Sequence, residues 1–366
     1  MAGSNYGNLF RISTWGESHG KALGVVVDGC PAGLPLEEKD IQKYLDRRKP
    51  GQTKISTPRK EADQVEILSG VFEGKTTGTP ISMMVPNTSQ QSRDYSEIAS
   101  YYRPGHADYT FDQKYGFRDY RGGGRSSGRE TIGRVAAGVI AAKILATLGV
   151  EVMAYTKAIG NIEMDPSRFD PQAIQETPTA MPDREASARA ESFLAQCMEN
   201  KDSAGGVIEC QIKGLPAGIG DPVFEKLDAN LAKAVMSIGA VKAFEIGDGI
   251  QAAGATGSQN NDAFRMDGTA VIKKTNHAGG VLGGISDGNT VVFRAYVKPT
   301  PSIFQKQETV NRSGEEIEIQ IKGRHDPVIV PRAVVVVESM AELTVLDAMM
   351  ANLSARMDYL ESFYKR

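Results

Sequence analysis

Four histidines are the side chains of this 366-residue chain that could exchange a proton near neutral pH. His19, His106, His277 and His325 lie in the short polar segments GESHG, RPGHAD, TNHAGG and GRHDP, and none lies on a regular apolar face. Any one of them alone would fit an ordinary surface loop. Because functional side chains are often carried by loops on a rigid scaffold, the four together, two of them beside arginine, indicate a proton-transfer site.

The segment at 118–134, RDYRGGGRSSGRETIGR, holds five arginines in seventeen positions around three consecutive glycines. Ser127 and Glu130 have capping-box spacing, which predicts that the serine side chain accepts the backbone N–H of Glu130 while Glu130 reaches back. A helix N-terminus offers unpaired N–H groups, and glycines let the backbone approach a ligand closely. We therefore expect an anion-binding loop with Arg125 and Arg129 as bidentate donors.

Two further segments concentrate positive charge. RRKPGQTKISTPRK at 47–60 follows an amphipathic helix, and the helix dipole explains Arg47 and Arg48 at its end but not Lys54. GRHDP at 323–327 places a cation, a proton exchanger and a carboxylate on consecutive residues. Basic clusters, proton-transfer groups and glycine-lined backbone favour an enzyme for a small polyanion over a nucleic-acid binder, which needs aromatic platforms or a continuous basic stripe.

Composition restricts the class of protein. The chain is 40% hydrophobic and has a net charge of −3, so no global field favours nucleic acid or an anionic membrane. The odd number of cysteines, Cys30, Cys197 and Cys210, without a CxxC pair argues against a disulfide framework and against a zinc site. Without a signal segment or a stretch long enough to span a membrane, the sequence indicates a cytoplasmic protein that binds no membrane.

The elements that must position these groups recur about half a chain apart. Residues 24–45 and 206–234 each contain a β-rich run, a PAG turn and an amphipathic helix, and further strand-like runs follow at 64–72 and 241–246. The pattern predicts an internal duplication, although a generic strand, turn and helix could also recur by chance.

Helices are also predicted over 128–148 and over 331–363, whereas the aperiodic segment 160–183 is expected to be a surface excursion. The mixed order of strands and helices favours an α+β arrangement. We expect a single domain with two similar halves, at about 1–155 and 200–330, and a long C-terminal helix.

Two nucleotide-binding motifs are only approximate. The segment 70–76, GVFEGKT, has three residues between its glycines where a Walker loop requires four, and it is better explained as a hairpin turn. The segment 247–252 matches a dinucleotide fingerprint, but no amphipathic helix follows it, which excludes a Rossmann site. No metal site is expected either, because carboxylates do not cluster with histidine at ligand spacing.

Seven segments together resemble the signature blocks of the chorismate synthases, in the order of that family and across nearly the whole chain. They read GESHG at 16–20, LDRRKPG at 45–51, RPGHADYT at 103–110, RDYRGGGRSSGRET at 118–131, NHAGGVLGGIS at 276–286, KPTPSI at 298–303 and GRHDP at 323–327. The resemblance implies a β-α-β sandwich with internal pseudo-twofold duplication and a homotetrameric assembly.

The resemblance also implies a reaction. A carbon–oxygen lyase of this family removes phosphate and a ring proton from 5-enolpyruvylshikimate 3-phosphate in an anti 1,4-elimination, which gives chorismate for aromatic amino acid biosynthesis by the shikimate pathway. Reduced FMN is required without net redox change. Since no nicotinamide fingerprint is present, we expect a monofunctional enzyme that receives reduced flavin from an external flavin reductase, with NADPH serving only indirectly.

Roles carry over from the family by motif. His19 would lie against the reduced flavin at N1 and O2, His106 would give a proton near the departing phosphate, and Asp326, held by Arg324, would assist deprotonation at the flavin N5. The residues expected to bind substrate are Ser18, Arg48, Lys54, Arg129 and Arg324. The residues expected to hold FMN are Arg125, Ser126, Ser127, Gly239, Ala240, Gly283, Lys298, Pro299, Thr300, Pro301, Ser302 and Arg324.

Three positions depart from the family pattern. Lys54, Gly239 and Pro301 stand where arginine, asparagine and serine are common, so that a bidentate fork, a side-chain contact and a backbone donor are lost. A non-catalytic flavin or phosphate-binding module and an RNA-binding protein are the alternatives. The presence of His19, His106 and Asp326 favours the enzyme.

Overall fold

A computed structural model describes residues 3–51, 62–88, 97–321 and 326–365. Lys54, Arg324 and His325, which belong to the segments singled out above, lie outside these residues.

The first half of the chain contains one sheet and the helices that pack on it. Its elements in chain order are β1 (Asn5–Tyr6), β2 (Arg11–Gly16), β3 (Ala22–Asp28), α1 (Glu38–Arg48), β4 (Glu66–Ile67), β5 (Val71–Phe72), β6 (Lys75–Thr76), β7 (Ile81–Pro86), α2 (Asp108–Tyr115) and α3 (Thr131–Thr147).

The second half repeats this content with additions. Its elements are β8 (Glu151–Ile159), β9 (Ile162–Glu163), α4 (Ala173–Glu176), α5 (Arg184–Glu199), β10 (Gly206–Lys213), α6 (Leu227–Met236), β11 (Val241–Ile246), α7 (Gly257–Asn260), β12 (Phe264–Asp267), β13 (Ala270–Lys273), β14 (Val281–Leu282), β15 (Ile285–Ser286), β16 (Val291–Val297), β17 (Lys306–Val310), β18 (Glu316–Gln320), α8 (Val330–Asn352) and α9 (Met357–Tyr364).

The two large sheets have equivalent orders for four of their five strands, since β1 precedes β2 in the chain whereas β9 follows β8. The first runs β1-β2-β3-β7-β4 and the second runs β9-β8-β10-β16-β11, with antiparallel neighbours throughout. The hairpins β5–β6 and β14–β15 occupy matching places before β7 and β16. The predicted duplication within an α+β sandwich is therefore confirmed, and the segment that resembles a Walker loop is a hairpin, as expected.

A layer of helices lies between the sheets. Helix α3 packs on β2 and β3 and on α8, and α8 packs on β8 and β10, so both helices are covered on several sides. Their composition explains this placement, because α3 is apolar almost all round and carries glycine where the helices approach: a Cβ at Gly138 would lie 2.6 Å from Ser339 Oγ on α8. The predicted inward faces of α1 and α6 are likewise buried at Ile41, Leu45, Leu227, Leu231, Val235 and Ile238.

Two sequence-based expectations differ from the structure. The C-terminal helix ends at Asn352 and a second helix, α9, begins at Met357, whereas one helix to about residue 363 was predicted. The segment 160–183 is a surface excursion only in part: many of its residues are exposed, but Ala173, Met181 and Asp183 are buried and Asp183 caps the N-terminus of α5. None of the helices within the described residues is long and apolar enough to cross a membrane.

Candidate active site

Ser18 and His19 lie in the tight turn that joins β2 to β3. The turn is closed by a hydrogen bond from Gly20 N to Glu17 O at 3.1 Å. Gly122 packs directly on it, because a Cβ there would lie 2.8 Å from His19 Nε2 and 3.0 Å from Ser18 Oγ. Gly122, one of the three consecutive glycines, therefore allows two loops of the protein to lie close together, whereas we had expected these glycines to let a ligand approach the backbone. The buried Ser18 Oγ has no hydrogen-bond partner among the described residues.

Two arginines predicted to bind substrate share one carboxylate. Arg48, the last residue of α1, is only 2% exposed and pairs through Nη2 with Asp63 Oδ2, while its Nη1 donates to Gly128 O at 3.2 Å. Arg129 donates from Nη1 to Asp63 Oδ1 at 3.0 Å. The structure thus brings Arg48 and Arg129 together, and it does so through a residue that sequence reasoning did not single out.

Asn87, directly after β7, joins this arginine pair to the histidine turn. Its Oδ1 accepts from Arg129 Nε at 3.1 Å and from Nη2 at 2.8 Å. Its Nδ2 donates to Glu17 O at 3.0 Å and to Gly20 O at 2.8 Å. Sequence reasoning also missed Asn87. The signal that could have found it is its position directly after β7, because β7 pairs with β3 and the β2–β3 turn carries Ser18 and His19.

Asp326 approaches the same group of residues from the start of α8. Its carboxylate accepts from Arg332 Nη1, and Arg332 Nε donates to Arg48 O at 3.0 Å. Burial lowers the pKa of Arg332, and nearby Asp326 opposes this effect. The described partner of Asp326 is Arg332, a residue we had not proposed, and Arg324, which was expected to hold Asp326, lies outside the described residues. Among the described residues of this largely buried network, the cations Arg48, Arg129 and Arg332 outnumber the carboxylates Asp63 and Asp326, which suits an anion.

His106 lies in a second group, near the end of β16. Its Nδ1 is 2.9 Å from Pro104 O and its Nε2 is 2.9 Å from Ser302 Oγ. A carbonyl oxygen can only accept, so the Nδ1 atom carries the proton. Burial and the neighbouring Arg103 cation lower the pKa of His106 to about 4, so the imidazole is neutral at pH 7.

Lys298 and its neighbours line this second group. Lys298 Nζ donates to Gly105 O at 2.8 Å, and its backbone N donates to Ala240 O at 2.9 Å. Pro301 packs against Gly105, where a Cβ would lie 2.7 Å from the proline Cβ. The predicted FMN residues at 240 and 298–302 are therefore neighbours, and they surround the His106 segment.

Two hydrogen bonds from neighbouring residues connect the two groups. Ser203 Oγ donates to Thr300 O at 2.7 Å, and Ala204 N donates to Pro327 O at 2.8 Å, next to Asp326. Both groups therefore lie at the same end of the sandwich, where β7 and β16 finish.

The remaining predicted FMN residues are placed differently. Arg125 Nη1 and Nη2 donate into β2, to Gly16 O at 3.1 Å and to Thr14 Oγ1 at 2.6 Å, so its fork is directed at the protein. Ser126 Oγ donates to Gly123 O at 2.7 Å. The predicted capping box is wrong: Ser127 Oγ accepts from Arg129 N at 3.3 Å.

Glu130 is drawn away from the expected capping box. Its buried carboxylate accepts from Thr14 Oγ1 at 2.8 Å and from Arg134 Nε at 2.8 Å. Thr14 on β2 and Arg134 on the next turn of α3 thus replace the local helix cap as partners of Glu130, and α3 begins only at Thr131.

Gly239 and Gly283 lie at opposite ends of α6. Gly239 follows the helix, whereas Gly283 is at the tip of the β14–β15 hairpin, whose Gly284 O accepts from Leu227 N at 2.8 Å at the start of the helix. Ten residues of helix span about 15 Å, so the structure does not bring these two glycines together. His277 lies in the same half and pairs through Nδ1 with Asp248 Oδ2 at 2.6 Å.

Comparisons with known proteins agree with the motif blocks. The family model for chorismate synthase matches residues 10–350. The chain is 66% identical over 366 residues to a chorismate synthase of Agathobacter rectalis, with both chains fully covered. It is 54% identical over 353 residues to that of Methanosarcina mazei, covering 96% of this chain and 97% of the relative.

A solved structure extends the comparison to the fold. A crystal structure of chorismate synthase matches with a TM-score of 0.77 at 31% identity, covering 98% of this chain and 97% of the other. The sequence matches and this structural match agree in spanning nearly the whole chain, and the chain therefore belongs to the chorismate synthase family.

Proposed function

We propose that this protein removes phosphate from 5-enolpyruvylshikimate 3-phosphate in an anti 1,4-elimination that gives chorismate, and that it requires reduced FMN to do so. The observation that carries the proposal is the positive network beside the Ser18–His19 turn, which consists of the buried Arg48 and Arg129 and the half-buried Arg332. A substrate with one phosphate and two carboxylates needs such cations, and guanidinium groups are well suited to both.

The described residues fit a flavin that carries a phosphate. Ser18 Oγ and Thr300 Oγ1 are buried without hydrogen-bond partners among the described residues, and the Lys298 ammonium lies at Gly105, against which Pro301 packs. Orphaned buried hydroxyls are costly unless a ligand pairs with them. Ser126, Ser127, Ala240 and residues 298–302 would hold the cofactor, and bound reduced FMN would supply the transient electron that helps phosphate to leave.

The arginines and His106 have separate tasks in this proposal. Arg48 and Arg129 bind the anionic groups of the substrate and hold its ring in place. His106 is neutral in the free protein, so it can give a proton only after its pKa rises. A phosphate arriving beside the imidazole favours its charged form, and the histidine then takes up a proton from solvent and gives it to the departing phosphate.

His19 and Asp326 would act on the cofactor side. Gly122 keeps the His19 ring in place, which leaves a positioned imidazole at the end of the sandwich. Arg332 orients the Asp326 carboxylate, whose oxygens can hold a proton released during the elimination.

One experiment tests the proposed reaction directly. Under strict anaerobic conditions, with chemically reduced FMN, the protein should convert 5-enolpyruvylshikimate 3-phosphate to chorismate and release one phosphate per product. Both products are measured against the same reaction with oxidised FMN. A protein that binds FMN but forms no chorismate would instead be a non-catalytic flavin module.

Replacing His106 tests its task as a proton donor. We expect His106→Ala to lower kcat by about 100-fold, since general acid catalysis contributes on that order, and to leave FMN affinity within about twofold. Turnover is followed by chorismate absorbance and FMN binding by fluorescence quenching. Unchanged turnover would remove His106 from the reaction.

We also propose that reduced flavin comes from a separate reductase. Anaerobic reactions with NADPH and oxidised FMN should therefore show turnover only when a flavin reductase is added. Rapid turnover with NADPH and FMN alone would show that the chain reduces flavin itself.

The proposed assembly is a homotetramer. The hairpin β12–β13 supports contacts between copies, because Phe264, Met266 and Val271 are exposed on it and Met266 lies opposite Val271. Light scattering on the purified protein measures the mass directly, and a monomer would contradict this proposal.

A further inference from the structure

The carboxylate of Asp63 lies between the two buried guanidinium groups of the candidate active site. One oxygen pairs with Arg48 Nη2 and the other accepts from Arg129 Nη1 at 3.0 Å. The Asp63 side chain is fully buried, and the two arginine side chains are 2% and 9% exposed. Each oxygen thus has one cationic partner within a space that solvent hardly reaches.

This arrangement solves an electrostatic problem. Two guanidinium groups close together and away from water repel each other, and each loses hydration. A shared carboxylate offsets both costs and fixes the separation of the cations, because its two oxygens are rigidly linked. Without it, the arginines would turn toward water or toward other acceptors.

The backbone at Asp63 has an uncommon conformation. Its φ of 45° lies in the left-handed region, which non-glycine residues adopt uncommonly, although aspartate tolerates it better than most. The neighbouring segment is held in place, because Gln42 Nε2 on α1 lies 3.4 Å from Asp63 O and Gln42 Oε1 accepts from Val65 N at 3.2 Å.

Arg48 keeps an unsatisfied donor under this arrangement. Its Nη2 pairs with Asp63 and its Nη1 with Gly128 O, while the buried Nε has no partner among the described residues. A buried N–H without an acceptor is costly, and an arriving anion would relieve that cost. Asp63 thus occupies one part of the guanidinium and leaves another part available to a ligand.

We propose that Asp63 is a positioning residue, which holds Arg48 and Arg129 side by side so that both bind the anionic groups of the substrate. This inference rests on the proposed function, because it takes the substrate to be the phosphate and carboxylate-bearing molecule of that reaction. In the opposite role, the Asp63 carboxylate would compete with the substrate for the two arginines and would therefore weaken substrate binding.

The variant Asp63→Asn separates the two roles. It keeps the size of the side chain and removes its charge, so the two cations lose their counterion. If Asp63 positions the arginines, KM for the enolpyruvyl substrate rises at least about tenfold, kcat falls less than KM rises, and FMN affinity changes less than about twofold. If Asp63 competes with substrate, KM falls, and an equal or lower KM in the folded variant would overturn the proposal.

A matched control distinguishes positioning from loss of stability. Asp183 is equally buried, pairs with Arg168 Nε at 3.2 Å and caps α5 outside the candidate site. Asp183→Asn should lower the thermal midpoint but leave KM within about twofold of the wild type. If both variants raise KM alike, Asp63 has only a structural role.

A second variant keeps the test open if Asp63→Asn does not fold. Asp63→Glu retains the charge and moves the carboxylate by one methylene group, so KM should rise measurably above the wild-type value. An unchanged KM in Asp63→Glu would contradict a requirement for position.

Failure of the proposed reaction can be recognised separately. If the wild type does not convert the enolpyruvyl substrate, inorganic phosphate is used as the probe, and its binding to wild type and Asp63→Asn is compared by calorimetry. Weaker phosphate binding in the variant would support the positioning role even then, and equal binding would overturn it.

Discussion

His106 sits between a backbone carbonyl and a serine hydroxyl, and this pairing determines its tautomer. Because Pro104 O accepts at Nδ1, the Nε2 lone pair faces Ser302 Oγ. The side chain is therefore ready to accept a proton at Nε2, but its surroundings oppose the charge until an anion arrives. The sequence placed a histidine in this loop, but only the folded structure shows that it rests in the neutral form.

The depressed pKa of His106 predicts a pH-dependent stability. The folded pKa is about 4 and the ordinary value is 6.5, so between these values the unfolded chain binds more protons and the folded state loses stability as pH falls. We expect His106→Asn to lose less stability than the wild type between pH 7 and pH 4.5. Urea denaturation at several pH values measures the difference, and a constant difference would contradict the neutral histidine.

Helix α8 connects the middle of the sandwich to the candidate site. Glu338 accepts from Arg47 at 2.6 Å and 3.1 Å and from Ala154 N at 3.1 Å, so α8 holds the last turn of α1 next to Arg48. One turn further along, Glu342 is buried and its Oε2 has no hydrogen-bond partner among the described residues. Burial, with the Glu338 charge nearby, raises the pKa of Glu342 well above its usual value and so favours the protonated carboxyl.

The raised pKa of Glu342 predicts the opposite pH dependence. Because the folded state binds the extra proton, the stability contributed by this group is present below its ordinary pKa of 4.5 and is lost as pH rises toward the folded value. Glu342→Gln should therefore gain stability relative to the wild type between pH 5 and pH 8.

Chemical denaturation at both pH values measures this change, with the exposed Glu316→Gln on β18 as the control. The control should show no such trend. A Glu342→Gln variant whose relative stability does not rise with pH would mean that the buried carboxyl is ionised.

At the scale of the whole molecule, the strand patterns and helix faces were sufficient to predict the duplicated sandwich. The PAG turns and periodic apolar residues are local signals, and the structure follows them. Arg48 and Arg129 could be named from motifs, but Asp63 and Asn87 could not. Their importance arises from contacts with residues far away in sequence, such as Asp63 with Arg129, which no local pattern encodes. Glu130 does not form the predicted cap partly for the same reason, because its carboxylate accepts from Thr14, which is far away in sequence.

The duplication places equivalent chain positions at one end of the sandwich. In the first repeat β7 leads into Asn87 beside the arginines, and in the second β16 leads into Lys298 near His106. The β2–β3 connection carries Ser18 and His19, whereas the matching β8–β10 connection is the long segment that ends at Gly205. The two repeats therefore have the same topology but contribute different chemical groups.

The long sequence separation between α1 and α8 affects the order in which their contacts can form during synthesis. Arg47 and Arg48 are synthesised 291 and 284 positions before Glu338 and Arg332, the α8 residues that contact them. We expect a chain that ends at residue 329 to show rapid hydrogen exchange in the last turn of α1, and slow exchange there would contradict this. On that expectation, the end of α1 is only loosely held in an unfinished chain until α8 has been synthesised and has packed against it.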